Sequence, residues 1–245
     1  MLKVIKERSG IMKNKIFEVG RNLLNEVEAT QMENIEQAAL LFADCLTGGG
    51  LIQAFGAGHS LAGALELTHR AGGFIPTKNI KEPAGGAYES IENVGLTFMK
   101  KVDVRPGDVV VVISNSGRNP LPIEVALKSK EKGAKIIAVT ALTASKGLKS
   151  RHSGGENLYE IADVVLDNRI PEGDAMIEVE GVDGKMCGMS TFTTSLLLQA
   201  CTLRAAEILV ERGIKPQVYL SQNIDGARER NEAIEEKYVE RLYRI

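Results

Sequence analysis

Tryptophan is absent from this chain of 245 residues, and aromatic residues together make up 4% of it. That scarcity disfavours base-stacking platforms and clefts that stack sugars on aromatic rings. Cysteine and histidine are sparse as well, at Cys45, Cys187, Cys201, His59, His69 and His152. No metal-ligand spacing links them, so no metal site is expected. Each cysteine falls in an apolar segment with helical character, which marks all three as small core residues of a chain kept reduced in the cytoplasm. No run approaches the ~20 apolar residues of a membrane span. Residues 1–10 lack the apolar core and small-residue tail of a signal peptide, and the stretch ahead of Met12 reads as an extension that frays. An excess of one charge is missing too: 30 Lys and Arg against 32 Asp and Glu leave a net charge of −2, which argues against a nucleic-acid surface.

What is present reads as one large α/β domain. Ile16, Val19, Leu23, Leu24 and Val27 recur at helical spacing. Thr30, with Glu33 three residues on, has the form of a capping box opening a second helix that carries Met32, Ile35, Ala38, Ala39, Phe42 and Cys45. Gly48-Gly49-Gly50 stops it. Short apolar strands follow at 51–55, 74–80, 108–113, 135–139 and 161–166. Residues 109–113 are β-branched without alternation, the mark of a strand covered on both faces. Helical patterns lie between the strands, at 61–70 and from Pro120 to about residue 132 with Asn119 as N-cap. Residues 88–101 allow a short helix, 189–210 form a long apolar one, and a charged helical tail runs from Asp225. Alternation of this kind predicts a doubly wound, five-stranded parallel sheet in the order 2-1-3-4-5, flanked by helices and preceded by an N-terminal helical pair.

Two strand-to-loop junctions stand out, Phe55-Gly56-Ala57-Gly58-His59-Ser60 and Ile113-Ser114-Asn115-Ser116-Gly117-Arg118-Asn119-Pro120. Both offer glycine, hydroxyls and backbone N–H groups at the start of a helix, which suits an oxyanion. They follow the first and third strands, which are neighbours in the expected order, so both face the switch-point crevice. A dinucleotide fingerprint fails, because Leu61 stands where Gly or Ala is needed and no acidic residue closes the second strand; no cofactor is expected. A Walker loop fails for want of Gly-Lys followed by Ser or Thr, and Val112 stands where a nucleophile elbow at Ser114 needs Gly.

The two junctions resemble the phosphate loops of a sugar isomerase (SIS) domain. Ser114-Asn115-Ser116-Gly117-Arg118-Asn119 is similar to the family's Ser-x-Ser-Gly-x-Thr, with Asn119 where Thr is commonest. Gly58-His59-Ser60, Arg70-Ala71-Gly72-Gly73, Gly173-Asp174-Ala175 and Ser221-Gln222-Asn223-Ile224-Asp225-Gly226 look like a stand-alone group related to phosphoheptose isomerases and N-acetylmuramic acid 6-phosphate etherases. The resemblance implies a phosphosugar-binding domain over residues 13–220, with 221–245 as its tail, working as a homodimer or homotetramer. It implies that Ser60, Ser114, Ser116 and Asn119 hold the phosphate, with Gly56, Gly58, Asn115, Gly117 and Arg118 completing the loops.

Isomerisation and β-elimination both remove a proton beside a carbonyl or its imine, which needs a base. Glu66, on the helix opening at the first loop, is the first candidate, although its relatives' glutamate lies one turn later, at Arg70 here. The competing reading is a Glu66–Arg70 helix pair. His59 is the second candidate. Arg118 either neutralises phosphate or reaches solvent, and Glu89 and Glu92 either overhang the site or face water. His69 and His152 read as structural or exposed. Asp174 and residues 223–225 have no chemical role on sequence grounds. The chain is thus expected to be a phosphosugar isomerase, an etherase-type lyase, or a non-catalytic phosphosugar sensor. The helical pair before Leu51, with Glu26, Glu28, Glu33 and Glu36, has no basic recognition-helix pattern, which argues against a fused transcription factor.

Overall fold

One stripe of side chains runs the length of the first helix. In the computed structural model, which describes residues 14–82 and 84–244, α1 (Lys15–Thr47) is continuous over 33 residues. Leu23, Val27, Gln31, Ile35, Ala39 and Phe42 are buried at helical spacing, so the two apolar runs belong to one face. The expected helical pair is corrected to a single helix. The Thr30 hydroxyl donates to the Glu26 carbonyl at 2.7 Å, within the helix, instead of capping a new one. Asn14 caps α1 by accepting from the Ile16 N–H at 3.1 Å. The first ten residues and the extension expected before Met12 lie outside the described residues.

Strand and helix then alternate: β1 (Ile52–Gly56), α2 (Leu61–Leu67), β2 (Thr77–Asn79), α3 (Val94–Phe98), β3 (Val109–Ile113), α4 (Pro120–Glu131), β4 (Lys135–Thr140), α5 (Leu142–Lys146), α6 (Leu158–Ile161) and β5 (Val164–Asp167). An antiparallel hairpin, β6 (Ala175–Glu178) and β7 (Lys185–Gly188), leads into α7 (Ser190–Glu211), and α8 (Ala227–Glu235) and α9 (Val239–Leu242) form the tail. The five strands make one parallel sheet in the order β2-β1-β3-β4-β5, as expected. Val109, Val111 and Ile113 of β3 pack with Phe42 of α1 and Leu197 of α7, while Val110 and Val112 pack with Leu121 and Val125 of α4. Burial on both faces is why β3 shows no alternation.

Three expectations change. The second strand shrinks to three residues, because Phe74 and Ile75 pair instead with the segment after α7: the Ile75 N–H donates to the Gln217 carbonyl at 2.8 Å, and Phe74 bridges Val218. The fifth strand starts at Val164, since residues 158–161 form α6, whose Glu160 carboxylate accepts the Asn157 N–H at 2.7 Å. Cys45 and Cys201 are buried as expected, but Cys187 lies exposed on the unforeseen hairpin. Among the described residues, no helix is long and apolar enough to cross a membrane.

Candidate functional site

Parallel pairing of β1 with β3 sets Gly56 opposite Ile113, so both junctions leave the sheet side by side at its C-terminal edge. Gly56 is required there: a Cβ would lie 2.2 Å from the Ser60 carbonyl oxygen. The loop closes on itself through the Ser60 N–H, which donates to the Ala57 carbonyl at 3.1 Å. At the second junction the Ser114 hydroxyl accepts the Gly117 N–H at 3.3 Å. Asn115 is clamped: its carbonyl accepts the Ala141 N–H at 2.9 Å and the Thr140 hydroxyl at 3.0 Å. Its side-chain oxygen accepts Asn168 Nδ2 at 2.8 Å. The Asn115 NH2 is therefore left as the free donor of the pair.

Between the junctions lies a cavity of about 300 Å³, walled by His59, Ser60, Ser114, Asn115, Ser116 and Glu89, with Ala141, Ala144 and Leu148 on one side and residues 171–174 on another. That volume sits at the lower end of the roughly 300–1,000 Å³ usual for small-molecule sites. No lysine or arginine among the described residues lines it. Its anion donors are hydroxyls, an amide and N–H groups, all neutral. Among the described residues, no cluster of three or more His, Cys, Asp or Glu side chains could hold a metal ion.

Glu89 arrives on a strap, residues 84–93, crossing the first junction. Its start is shaped by Glu82, whose carboxylate accepts the N–H groups of Ala84 at 2.9 Å and Gly86 at 2.6 Å. Gly86 has φ +96° and approaches so closely that a Cβ would lie 2.5 Å from the Gly58 nitrogen. Beyond it, the buried Glu124 carboxylate accepts the N–H groups of Asn93 and Leu96 and lies 3.8 Å from His152 Nε2. Glu92 accepts the Ser153 N–H outside the cavity.

The remaining sequence candidates fall elsewhere. Glu66 pairs with Arg70, its carbonyl accepts Gln199 Nε2 at 3.0 Å, and it does not line the cavity. Gly56, Gly58 and Gly117 shape the loops without forming the wall, and Arg118 and Asn119 do not line it either. His69, just beyond the C-terminal end of α2, meets the Tyr219 hydroxyl at 3.1 Å. Asp174 gains a role: it accepts the N–H groups of Met189 at 3.1 Å and Ser190 at 2.9 Å and the Ser190 hydroxyl at 2.8 Å. It thereby ties the loop after β5 to the start of α7. Residues 223–225 do not line the cavity. Sequence reasoning missed Pro171 and Glu172 as cavity residues, although the resemblance touches the adjacent Gly173 and Asp174; the further signal was topological, a loop leaving the same sheet edge two strands away.

The chain belongs to the SIS domain family, whose model matches residues 16–141. That span contains both junctions and the strap. The chain is 52% identical over 229 residues to the UPF0309 protein lmo0025 of Listeria monocytogenes, an alignment covering 94% of this chain and 98% of that protein. The solved structure of phosphoheptose isomerase GmhA from Neisseria gonorrhoeae matches with a TM-score of 0.56 and 22% identity, over 79% of this chain and 96% of that one. The NanR protein of Vibrio vulnificus, solved with ManNAc-6P, matches with a TM-score of 0.50 and 16% identity, over 90% of this chain and 69% of that one. These two solved proteins share the fold with this chain.

Proposed function

We propose that the chain binds a phosphorylated sugar in this cavity and isomerises it by moving a proton between the two carbons of a hydroxy-carbonyl pair. One observation carries the reading: Ser60 and the Ser114-Asn115-Ser116 run line one cavity together with a carboxylate, Glu89, and an imidazole, His59. The fold neighbours support it, one named as a phosphoheptose isomerase and one solved with a sugar phosphate.

The phosphate sits among the junction hydroxyls and N–H groups. Neutral donors bind a dianion without the tight hold of a cationic cluster, which suits a substrate that must leave. Glu89 takes the proton from the carbon beside the carbonyl, and the electron pair moves onto the carbonyl oxygen, which His59 protonates, to give an enediol. The His59 imidazole, having given up its proton, takes the proton of the other hydroxyl, a carbonyl reforms there, and the proton on Glu89 returns to the former carbonyl carbon. No electrons leave the substrate, so no redox cofactor is required, and a sugar phosphate suits the expected cytoplasmic location.

The test is incubation of the protein in D2O with fructose 6-phosphate, sedoheptulose 7-phosphate and glucosamine 6-phosphate, with deuterium incorporation read by NMR. Exchange into at least one supports the reading. Binding without exchange in any of them supports a sensor instead. Ser60→Ala and Ser116→Ala are each expected to weaken inorganic phosphate binding by about 1.5–3 kcal/mol, the worth of a hydrogen bond to a charged group. Calorimetry checks this, and unchanged affinity in both variants rules out the phosphate assignment.

The same reading includes self-association. Phe192, Leu203 and Val210 of α7 are 44%, 64% and 63% exposed, and spacings of 11 and 7 residues place them on one helix face. An apolar stripe on an already packed helix is suited to a second copy. Leu203→Glu with Val210→Glu is expected to shift a dimer or tetramer towards monomer in light scattering. A wild-type chain that is monomeric at micromolar concentration refutes the assembly.

A further inference from the structure

We propose that Asn119 is a positioning residue that, with Arg151, holds the Glu89 carboxylate at the cavity wall, in place of the phosphate contact that its place in the Ser-x-Ser-Gly-x-Thr pattern implies. The inference rests on the phosphosugar reading above. Asn119 is the N-cap residue of α4, yet its side chain makes no capping bond. The amide is instead occupied at both ends. Its Nδ2 donates to Glu89 Oε1 at 2.9 Å, and its Oδ1 accepts Arg151 Nη1 at 3.1 Å. One Nδ2 hydrogen is left over, but Asn119 does not line the cavity in which a phosphate would sit.

The backbone on each side of this chain of bonds is fixed independently. The Glu89 carbonyl accepts the Leu121 N–H at 3.2 Å, which docks the strap on the first turn of α4. The Arg151 N–H donates to the Arg118 carbonyl at 2.8 Å, which docks the 150s loop on the other side. The three side chains therefore close a link between segments already held in register. A threonine hydroxyl is one bond shorter than the amide and carries donor and acceptor on a single atom, so it cannot span the same gap. With Oε1 held, Glu89 keeps Oε2 for the substrate proton. Released from Asn119, the half-buried glutamate regains rotamer freedom that must be lost again at each turnover.

The experiment compares wild type, Asn119→Ala, Asn119→Ser, Arg151→Ala, Arg151→Lys, Glu89→Gln and the double variant Asn119→Ala with Glu89→Gln. Two quantities are read: deuterium exchange into the three sugar phosphates at saturation, and affinity for inorganic phosphate. Asn119→Ala and Asn119→Ser are expected to slow exchange by about 100-fold, the scale of a 1 Å misplacement, with phosphate affinity unchanged. Arg151→Lys should retain more activity than Arg151→Ala. In the Glu89→Gln background, Asn119→Ala should cost nothing further, because both act on one group. The opposite pattern, phosphate affinity reduced at least tenfold in both Asn119 variants with saturated exchange intact, makes Asn119 a phosphate ligand and overturns the proposal. Losses that add in the double variant overturn it too. A wild-type chain that exchanges none of the three sugars fails earlier and refutes the isomerase reading itself, and the positioning role with it.

Discussion

Asp108→Ala is expected to destabilise the fold by about 3–5 kcal/mol, the cost of breaking a buried ion pair from one side. Asp108 is fully buried at the start of β3, at the sheet edge opposite the cavity. Its Oδ1 accepts the Leu51 N–H at 2.9 Å and Arg241 Nη1 at 3.0 Å. Its Oδ2 accepts the Arg105 N–H at 2.9 Å, Gln53 Nε2 at 3.0 Å and Arg241 Nη2 at 2.6 Å. Alanine strands two backbone donors and leaves the Arg241 guanidinium, its side chain 13% exposed, with only the Asp103 carboxylate, 3.7 Å from its Nε. Arg241→Ala should cost less, since three of the five donors to the carboxylate survive. Urea unfolding with an unchanged m-value reads both, and equal or reversed costs would falsify this account. The pair also fastens the tail, because Arg241 is on α9 and its carbonyl accepts Lys78 Nζ at 3.0 Å. Nearby, burial pushes the Asp103 carboxyl up, but the hydrogen bond and charge of Arg105, with Arg241 and Arg244, outweigh it and hold the group below the usual carboxylate range. A depressed carboxyl contributes stability above its unfolded value of about 3.9, lost as pH falls through the folded value. Acid should therefore loosen this end of the sheet as Asp103 takes up its proton.

The sheet was legible because its signal is local. Val109 to Ile113 can only be a strand covered on both faces, and glycines at the first and third strand ends announce the crevice between them. Features that depend on distant partners were not legible. Thr30 and Glu33 spell a capping box, but a hydroxyl can equally bond the carbonyl four residues back, and the buried stripe through Gln31 decides for continuity. Gln31 itself accepts the Asp167 N–H at 2.9 Å, a contact across 136 positions that no periodicity reveals. Phe74 and Ile75 have strand character, yet their partners follow α7. At the site, the serines and His59 were readable from the motif. Glu89 was readable only as one of two possibilities, because the strap has no repeating pattern and is placed by Glu82, Gly86 and Leu121. Position along α2 alone favours Glu66 as the base, but i,i+4 spacing equally allows the pair with Arg70 that the structure contains.

Glu89→Gln is expected to lower deuterium exchange by roughly 10²–10⁴, the usual worth of a general base, while phosphate affinity stays within a few-fold. Glutamine keeps the volume of the side chain and an oxygen able to accept Asn119 Nδ2, so the wall of the cavity is preserved and basicity alone is lost. Dependence on a carboxylate at this position follows from what else lines the cavity. Asp174 is committed to the Met189 and Ser190 N–H groups and the Ser190 hydroxyl. Glu172 is exposed and makes no hydrogen bond that would hold it toward the cavity among those of the described residues. Glu89 is half-buried, is held at one oxygen, and lines the same cavity as the hydroxyls that suit a phosphate. His59→Ala should slow exchange less, because solvent can supply a proton to an oxygen more readily than it can take one from carbon. Glu66→Gln should leave exchange intact, since its carboxylate is engaged by Arg70 outside the cavity. If Glu89→Gln exchanges at the wild-type rate while Glu66→Gln does not, the base is on α2 after all. That result would require the substrate to reach Glu66 along a route that a single copy of the chain does not open, and the assembled form, with a second copy packed against α7 beside Gln199, would become the place to look for it.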